Sequence, residues 1–467
     1  MKVQWQISQS RDYLVTKKWK QLSIFVFLII ALGLVREPFL ENLLVGEEGG
    51  FAFLVANPVP SSKFSTSGQP EILIGNIEGK LEFLAFERTI KPYMIIENVV
   101  GEFTRPLRLM EIEDLGVRTR AVRLVFLSIF VAGVAGSLWI AAGSGFLPLL
   151  IVSYALTTPL MVGASIQPQL DGSLGVLLMG LAAWMLTSSN RLSLLYLAGL
   201  LIGLGRHEWS LSFLTSAVLV FLLTLSNRQS PWHPMGSLII GIISGITFSL
   251  AMSTPDFLNG FQVMRRVAGT VNPMILAYQF SAYLVPAILL IGASLALSIM
   301  RLRSVLSIRP SVMVLVLAGG MILAGFSLSG WPGDGFPRYY SPAVILAVYS
   351  LIYLVNYNVL PQWIRAVGAV ACIGGILWNA SFLAMKHMED ISITSSPGVN
   401  LTALRQHYRE TNSHTLNEGV VLLEGTGFWL YYPNTNFVSE DLGEAYSLNW
   451  LRHYRPDLVD RFRSRLK

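Results

Sequence analysis

Eleven predominantly apolar stretches of roughly membrane-crossing length leave this chain few folds to choose from. They lie near 22–36, 121–141, 145–163, 171–188, 192–207, 209–226, 237–253, 279–300, 311–330, 341–357 and 364–384. A bilayer core accommodates about 20 apolar residues as a helix. Several runs contain proline (Pro148, Pro159, Pro286), which membrane helices tolerate. Charged residues make up 13% of the chain, against roughly 25% in soluble domains, too few to cover a water-exposed surface of this size. The chain therefore reads as an all-α polytopic membrane protein with about eleven transmembrane helices. The two runs flanking Arg206, His207 and Glu208 also fit a single broken hairpin.

The charges that remain are bunched, and their placement sets an orientation. Cytosolic loops are rich in Lys and Arg. The N-terminal segment carries Arg11, Lys17, Lys18 and Lys20 and is expected to face the cytosol. It does not read as a cleavable signal, because about twenty polar residues precede the first apolar run and no small-residue cleavage site follows it. Counting onward, the expected cytosolic loops carry Arg191, Arg228, Arg301, Arg303, Arg309 and Arg365. The opposite side collects Asp171, Arg206 to Glu208, Asp256, Arg265, Arg266, Asp334 and Arg338. Mixed charges in short loops that topology does not require are candidates for function.

Two longer hydrophilic segments fall on that second side. Residues 37–120 form a large first outer loop, with amphipathic stretches near 47–57 and 88–100 suited to lying on the interface. The tail, 386–467, reads as a small α/β piece: a helix near 401–411, a strand at Gly419–Leu423 and a helix near 440–452. The domain expectation is thus a membrane module over 1–385 and a small extracytoplasmic domain over 386–467. The formal charge of +6 is accounted for by the basic loops, and no soluble domain offers a nucleic-acid surface. Cys372 is the one cysteine, so no internal disulfide forms. The six histidines are scattered without metal-ligand spacing, and no phosphate-cradling loop or dinucleotide fingerprint occurs.

Four clusters could carry chemistry. Gly46-Glu47-Glu48-Gly49-Gly50-Phe51-Ala52 places paired carboxylates about ten residues after the first span; one could act as general base or cation ligand, or the pair could be a solvated turn. Gly205-Arg206-His207-Glu208 places a guanidinium at an interface, suited to gripping a phosphate or to snorkelling to headgroups. Gly333 to Pro342 contains Arg338, Tyr339 and Tyr340 in a Pro-flanked loop that also fits an aromatic belt. Asp171 opens the fourth span, where an acid is a helix cap by default.

Taken in order, these features resemble the polyprenyl-phosphate-sugar-dependent membrane glycosyltransferases of the GT-C fold. The pattern is nearest to the branch of protein mannosyltransferases and aminoarabinose transferases. Glu47-Glu48-Gly49-Gly50-Phe51-Ala52 stands where that family has an acidic pair before an interfacial helix. Lys91-Pro92-Tyr93 stands loosely where it has a basic-Pro-aromatic motif, and Arg123-Leu124 where an Arg-Leu stretch enters the second span. Leu170-Asp171-Gly172-Ser173-Leu174 matches its Asp-led span, Gly199 to Arg206 its Gly-rich span ending in a basic residue, and Arg338-Tyr339-Tyr340-Ser341-Pro342 its late Arg-Tyr. The likeness covers roughly 20–360, and it rests on order, spacing and common side rather than on any single motif. Two departures stand out: Glu47 replaces the usual Asp, and Arg206 a frequent Lys.

The resemblance implies an inverting transfer of a sugar from a polyprenyl phosphate to an acceptor hydroxyl on a glycan, lipid or protein. Glu47, or failing it Glu48, would be the base. Arg206 and Arg338 would stabilise the leaving phosphate with help from His207, and Tyr339, Asp171 and Lys91 would contact substrate. No cofactor or resident metal is required, although a divalent cation bridging acid and phosphate is compatible. The implied setting is a bacterial inner membrane, with the N-terminus cytosolic, the C-terminus extracytoplasmic, membrane lipid as surroundings and no nucleic acid. Two other classes fit the same architecture: a transporter or flippase of a lipid-linked or anionic solute, and a polysaccharide polymerase or ligase. The first predicts charges at mid-membrane in paired halves. The second predicts key arginines in a large later loop, whereas here the large loop is the first.

Overall fold

The computed structural model describes residues 2–42, 71–77, 80–85, 107, 112, 114–168, 170–226, 232–251, 283–303, 309–329, 336–357, 360–394, 400–403, 406, 421–423 and 437–439. Side chains at 2–15, 71–85, 115, 170–171, 207, 225–226, 232–233, 250–251, 300–303, 326–338, 357, 421–423 and 437–439 fall outside that description.

The apolar runs fold as helices in chain order: α1 (Lys2–Arg36), α2 (Leu115–Ser144), α3 (Phe146–Thr157), α4 (Pro159–Ile166), α5 (Leu170–Ser188), α6 (Leu192–Gly203), α7 (His207–Ser226), α8 (Trp232–Ala251), α9 (Val285–Arg303), α10 (Pro310–Ser329), α11 (Phe336–Tyr357) and α12 (Gln362–Met388). Among the described residues, four segments are long and apolar enough to cross a membrane alone: Thr16–Phe39, Gly116–Ser144, Tyr339–Asn356 and Gln362–Met388. A fifth is added if the bent pair α3 and α4 counts as one. This is a helical membrane protein. At 12 residues, α6 is about 18 Å long, short of a hydrocarbon core about 30 Å thick.

The expected single span over 145–163 is instead two helices that meet at 63°. Pro159 explains the break. It lacks an N–H to continue the α3 ladder, and it starts α4 well, because a first-turn proline loses no bond it could have made. Thr158 caps α4 through its side chain, which accepts from the Met161 amide.

Side-chain bonds between helices fix which ends lie together. Gln21 donates to the Trp139 carbonyl at 2.8 Å, and the Phe25 and Trp139 rings meet edge to face at 5.5 Å, so α1 and α2 run antiparallel. Asn356 donates to Ser144 at 2.8 Å, Arg309 to the Thr187 carbonyl at 3.2 Å, and Ser237 to the Leu192 carbonyl at 2.7 Å. One end of the bundle therefore gathers Lys17, Lys18, Lys20, Arg191, Arg309 and Arg365, and is called the basic end below. The other end gathers Arg36, Asp114, Arg206, Tyr339 and Lys386.

At the centre stands α11, almost wholly buried among α2, α3, α4, α5, α9 and α10. Helices α6 and α8 approach most closely, along Gly199 and Gly203 on one and Gly241 and Gly245 on the other. A Cβ on Gly245 would lie 2.6 Å from the Leu200 carbonyl oxygen, and one on Gly203 2.7 Å from the Gly245 Cα. Such small-residue seams let membrane helices pack without a hydrophobic driving force between them. On the outer faces of α1 and α12, Phe27, Leu34, Val370, Leu377 and Trp378 are exposed, as befits helices turned toward lipid.

Between α1 and α2, Glu71–Ile77 (β1) and Lys80–Ala85 (β2) pair antiparallel, linked through positions 78–79. This hairpin was not among the sequence expectations. Its signal was the Glu78-Gly79 dipeptide between two apolar runs. The amphipathic stretches expected at 47–57 and 88–100 lie outside the described residues. In the tail, Val421–Leu423 (β3) falls inside the expected strand and pairs in parallel with Phe437–Ser439 (β4). Leu401–Ala403 is helical where the first tail helix was expected, and the second tail helix, near 440–452, lies outside the described residues.

Candidate functional site

Helices α5, α7 and α11 all begin at the end opposite the basic one, and Arg206 lies where they meet. The chain leaves α6 at Gly203-Leu204-Gly205, and the Arg206 carbonyl accepts from the Ser210 amide at 2.9 Å, which starts α7. The Ser210 hydroxyl ties the break shut by donating to the Ile202 carbonyl at 2.7 Å. Held this way, the Arg206 side chain is turned inward and is only 6% exposed.

Its guanidinium carbon lies 4.5 Å from the centroid of the Tyr339 ring and 6.0 Å from that of Trp209. Arginine stacks on aromatic faces through the ring quadrupole, an attraction that strengthens when water is excluded. Glu208 supplies the counter-charge: its two oxygens accept from Arg206 Nε at 3.2 Å and Nη2 at 3.0 Å. Trp209 is able to lie flat here because Gly175, on α5, has no side chain. A Cβ at Gly175 would collide with the indole ring, and one at Gly205 would lie 2.9 Å from Met179.

The Trp209 indole N–H, beside this arginine, and the Ser173 hydroxyl, in the first turn of α5, are buried and have no hydrogen-bond partner among the described residues. Buried polar groups are nearly always satisfied, by protein or by ordered water.

Of the residues singled out from sequence, Arg206 and Tyr339 are brought into contact. Asp171 sits on α5 one turn before Gly175, on the side of the helix that meets Trp209. His207 opens α7 next to Arg206, and Arg338 precedes Tyr339 in the first turn of α11. The side chains of Asp171, His207 and Arg338 lie outside the described residues, as do Glu47, Glu48 and Lys91 altogether. Pro342 has no N–H to offer the Arg338 carbonyl one turn back.

A second group at the same end supports the first. Arg123, fully buried on α2, donates to the carbonyl of Ile166 at 2.8 Å and to that of Asn42 at 3.1 Å. It joins the end of α4 to the chain leaving α1. Arg36, also fully buried, donates to Ser165 at 2.7 Å, to the Leu156 carbonyl at 2.9 Å and to the Leu32 carbonyl at 3.0 Å. These bonds bridge the α3–α4 bend. Nearer the surface, Arg120 pairs with Glu37 at 2.7 Å and Glu41 at 3.1 Å.

Sequence reasoning missed Glu208 and Trp209 as partners of Arg206. Adjacency was the signal for Glu208. For Trp209 there was no one-dimensional signal, since its slot is cut by Gly175 on another helix. Among the described residues no group of three or more His, Cys, Asp or Glu side chains could hold a metal ion. No protein-family model and no curated protein matches this chain.

Proposed function

We propose that this chain is an inverting glycosyltransferase that moves a sugar from a polyprenyl-phosphate donor to an acceptor hydroxyl, in the manner of the GT-C enzymes it resembles. The observation that carries the reading is the buried Arg206 guanidinium held against Tyr339 where α5, α7 and α11 begin. A low-dielectric position makes a fixed cation effective against charge that grows on a leaving phosphate. Glu208 holds the side edge of the guanidinium fork, through Nε and Nη2. A guanidinium fork can grip a phosphate bidentately.

The step balances without a cofactor. The acceptor oxygen attacks the anomeric carbon, and Glu47 or Glu48 takes its proton. The anomeric C–O bond breaks, and its electron pair leaves on the polyprenyl phosphate. Arg206 and Arg338 stabilise that charge, and His207 assists. Tyr339, Asp171 and Lys91 position the sugar and acceptor. The unpartnered N–H of Trp209 and hydroxyl of Ser173 are suited to phosphate or sugar oxygens. A divalent cation bridging acid and phosphate is compatible with this scheme. In this reading the apolar runs make eleven crossings, the basic end faces the cytosol, and the tail at 386–467 lies over the site. The membrane is a bacterial inner membrane.

A transporter reading would favour charges at mid-depth, whereas Arg36 is the last residue of α1 and Arg206 immediately precedes α7. The test is donor consumption by the purified protein in lipid, supplied with a panel of labelled polyprenyl-phosphate sugars. Wild type should release sugar, and Glu47→Gln and Arg206→Ala should lose that activity while remaining folded. If wild type consumes no donor, or both variants match it, the transferase reading fails and transport takes its place.

A further inference from the structure

At the basic end, far from Arg206, a cavity of about 530 Å³ opens between the α2–α3 turn, the last turn of α11 and the first turns of α12. Its walls mix two chemistries. Leu147, Val355 and Ala369 form an apolar side, and Ser144, Asn356 and Arg365 a polar one. The polar side is organised: Asn356 donates to Ser144 at 2.8 Å, and Ser144 donates in turn to the Ile140 carbonyl at 2.6 Å. Gly145, at φ 112° in the left-handed region that favours glycine, makes the sharp turn between α2 and α3 that leaves the space.

Two observations say what fits there. The first is depth. Phe146 and Trp363 flank the cavity and are 66% and 68% exposed. Large exposed aromatics at helix ends mark the headgroup level of a membrane, so the cavity opens where headgroups lie. The second is charge. Arg365 lines the cavity, and exposed Lys17, Lys18, Lys20 and Arg191 share its end of the bundle. The described residues of the connections at this end, 144–146, 189–191, 309–310 and 360–361, include no carboxylate, and α3 has no acid in its first turn. A cation lining a half-apolar slot complements a phosphate on an acyl chain, and a cation placed at the headgroup strengthens anionic-lipid binding severalfold.

We propose that this cavity is a binding site for an anionic membrane phospholipid, with the phosphate at Arg365 and Asn356 and the acyl chain against Leu147 and Ala369. Lipid capture here is independent of sugar transfer at the other end, and the experiment reads lipid alone. The purified full-length protein in a neutral detergent is titrated with phosphatidylglycerol, with phosphatidylcholine of the same chains and with inorganic phosphate, and its thermal midpoint is followed. Phosphatidylglycerol should raise the midpoint saturably, and the other two should not. Arg365→Gln should raise the half-saturating concentration of phosphatidylglycerol about five- to tenfold, and Arg191→Gln, outside the cavity, should leave it unchanged. Ala369→Leu, which fills the slot, should weaken the response; Arg365→Gln, on an exposed position, decides the matter if that variant does not fold. Equal shifts with phosphatidylcholine, or a full response to inorganic phosphate, overturn the proposal. So does an Arg191→Gln effect as large as that of Arg365→Gln.

Discussion

The two ends of the helix bundle carry similar numbers of cations but hold them in opposite ways. At the basic end Lys17, Lys18, Lys20, Arg191 and Arg365 are exposed. At the far end Arg36, Arg118, Arg123, Arg206 and Lys386 are buried, each at 7% exposure or less. Exposed cations of one sign cost little and act on the membrane surface as a field, so apart from Arg365 at the cavity their individual identities matter little. A buried guanidinium is different. Desolvation costs several kcal/mol unless bonds replace the lost water, so each one fixes the elements around it. Arg123 holds the carbonyls of Ile166 and Asn42, Arg36 those of Leu156 and Leu32, and Arg206 the carboxylate of Glu208. Charge that is distributed at one end is positional at the other.

Four measurements test that contrast, from the strongest effect down. Arg206→Ala should lower donor turnover by about 10²- to 10³-fold, while Arg191→Ala leaves it unchanged; equal losses would erase the distinction between the ends. Arg123→Leu removes the donor to the buried Ile166 carbonyl and the half-buried Asn42 carbonyl and should lower stability by about 3 kcal/mol, read by thermal or denaturant unfolding in detergent. Arg191→Leu, its exposed counterpart, should stay within about 0.5 kcal/mol. Trp209→Phe keeps the ring in the Gly175 slot but deletes the indole N–H. Turnover should fall roughly three- to tenfold with the unfolding midpoint held, and an unchanged turnover would mean that this donor serves no substrate. Arg120→Ala breaks the pairs with Glu37 and Glu41 at the buried-charge end, but on half-exposed side chains. Its cost should be under about 1 kcal/mol, which would show that burial, and not location, gives these charges their weight.

The glycine seam sharpens the same point for packing. Gly241→Ala would press a Cβ to 3.1 Å from the Gly199 Cα and onto the Tyr196 carbonyl, and overpacking of this kind costs about 1–3 kcal/mol. At Gly374, on the exposed face of α12, nothing lies within 4 Å. The same change there should be neutral or slightly stabilising, because alanine favours helix by about 1 kcal/mol. Parallel unfolding curves of the two variants give the comparison directly.

Much of this arrangement is legible one residue at a time. The apolar runs of the sequence fold as helices, one of them as a bent pair, because the run length and the lack of charge leave the backbone no other way to satisfy itself in lipid. The basic connections Arg191, Arg309 and Arg365 fall at one end, as their alternation with apolar runs requires. The site was legible only as residues, not as contacts. Arg206 and Tyr339 were singled out for different reasons, one as a phosphate ligand and the other beside an arginine in a rigid loop. No pattern along the chain says that the guanidinium lies on that ring, since the contact depends on how α7 and α11 pack.

What the sequence determined alone is therefore whatever follows from the local match between side chains and solvent: helices, their approximate limits and the clustering of positive charge. Only the tertiary structure decided the rest. The 63° bend, the crossing of α6 and α8 on four glycines, the burial of Arg36 and Arg123 against carbonyls of other helices, and the meeting of Arg206, Trp209 and Tyr339 all depend on which faces touch. The physical reason is that hydrophobicity sorts segments between lipid and water but does not distinguish one apolar helix from another. That choice falls to close packing and to the few buried polar groups that must find partners.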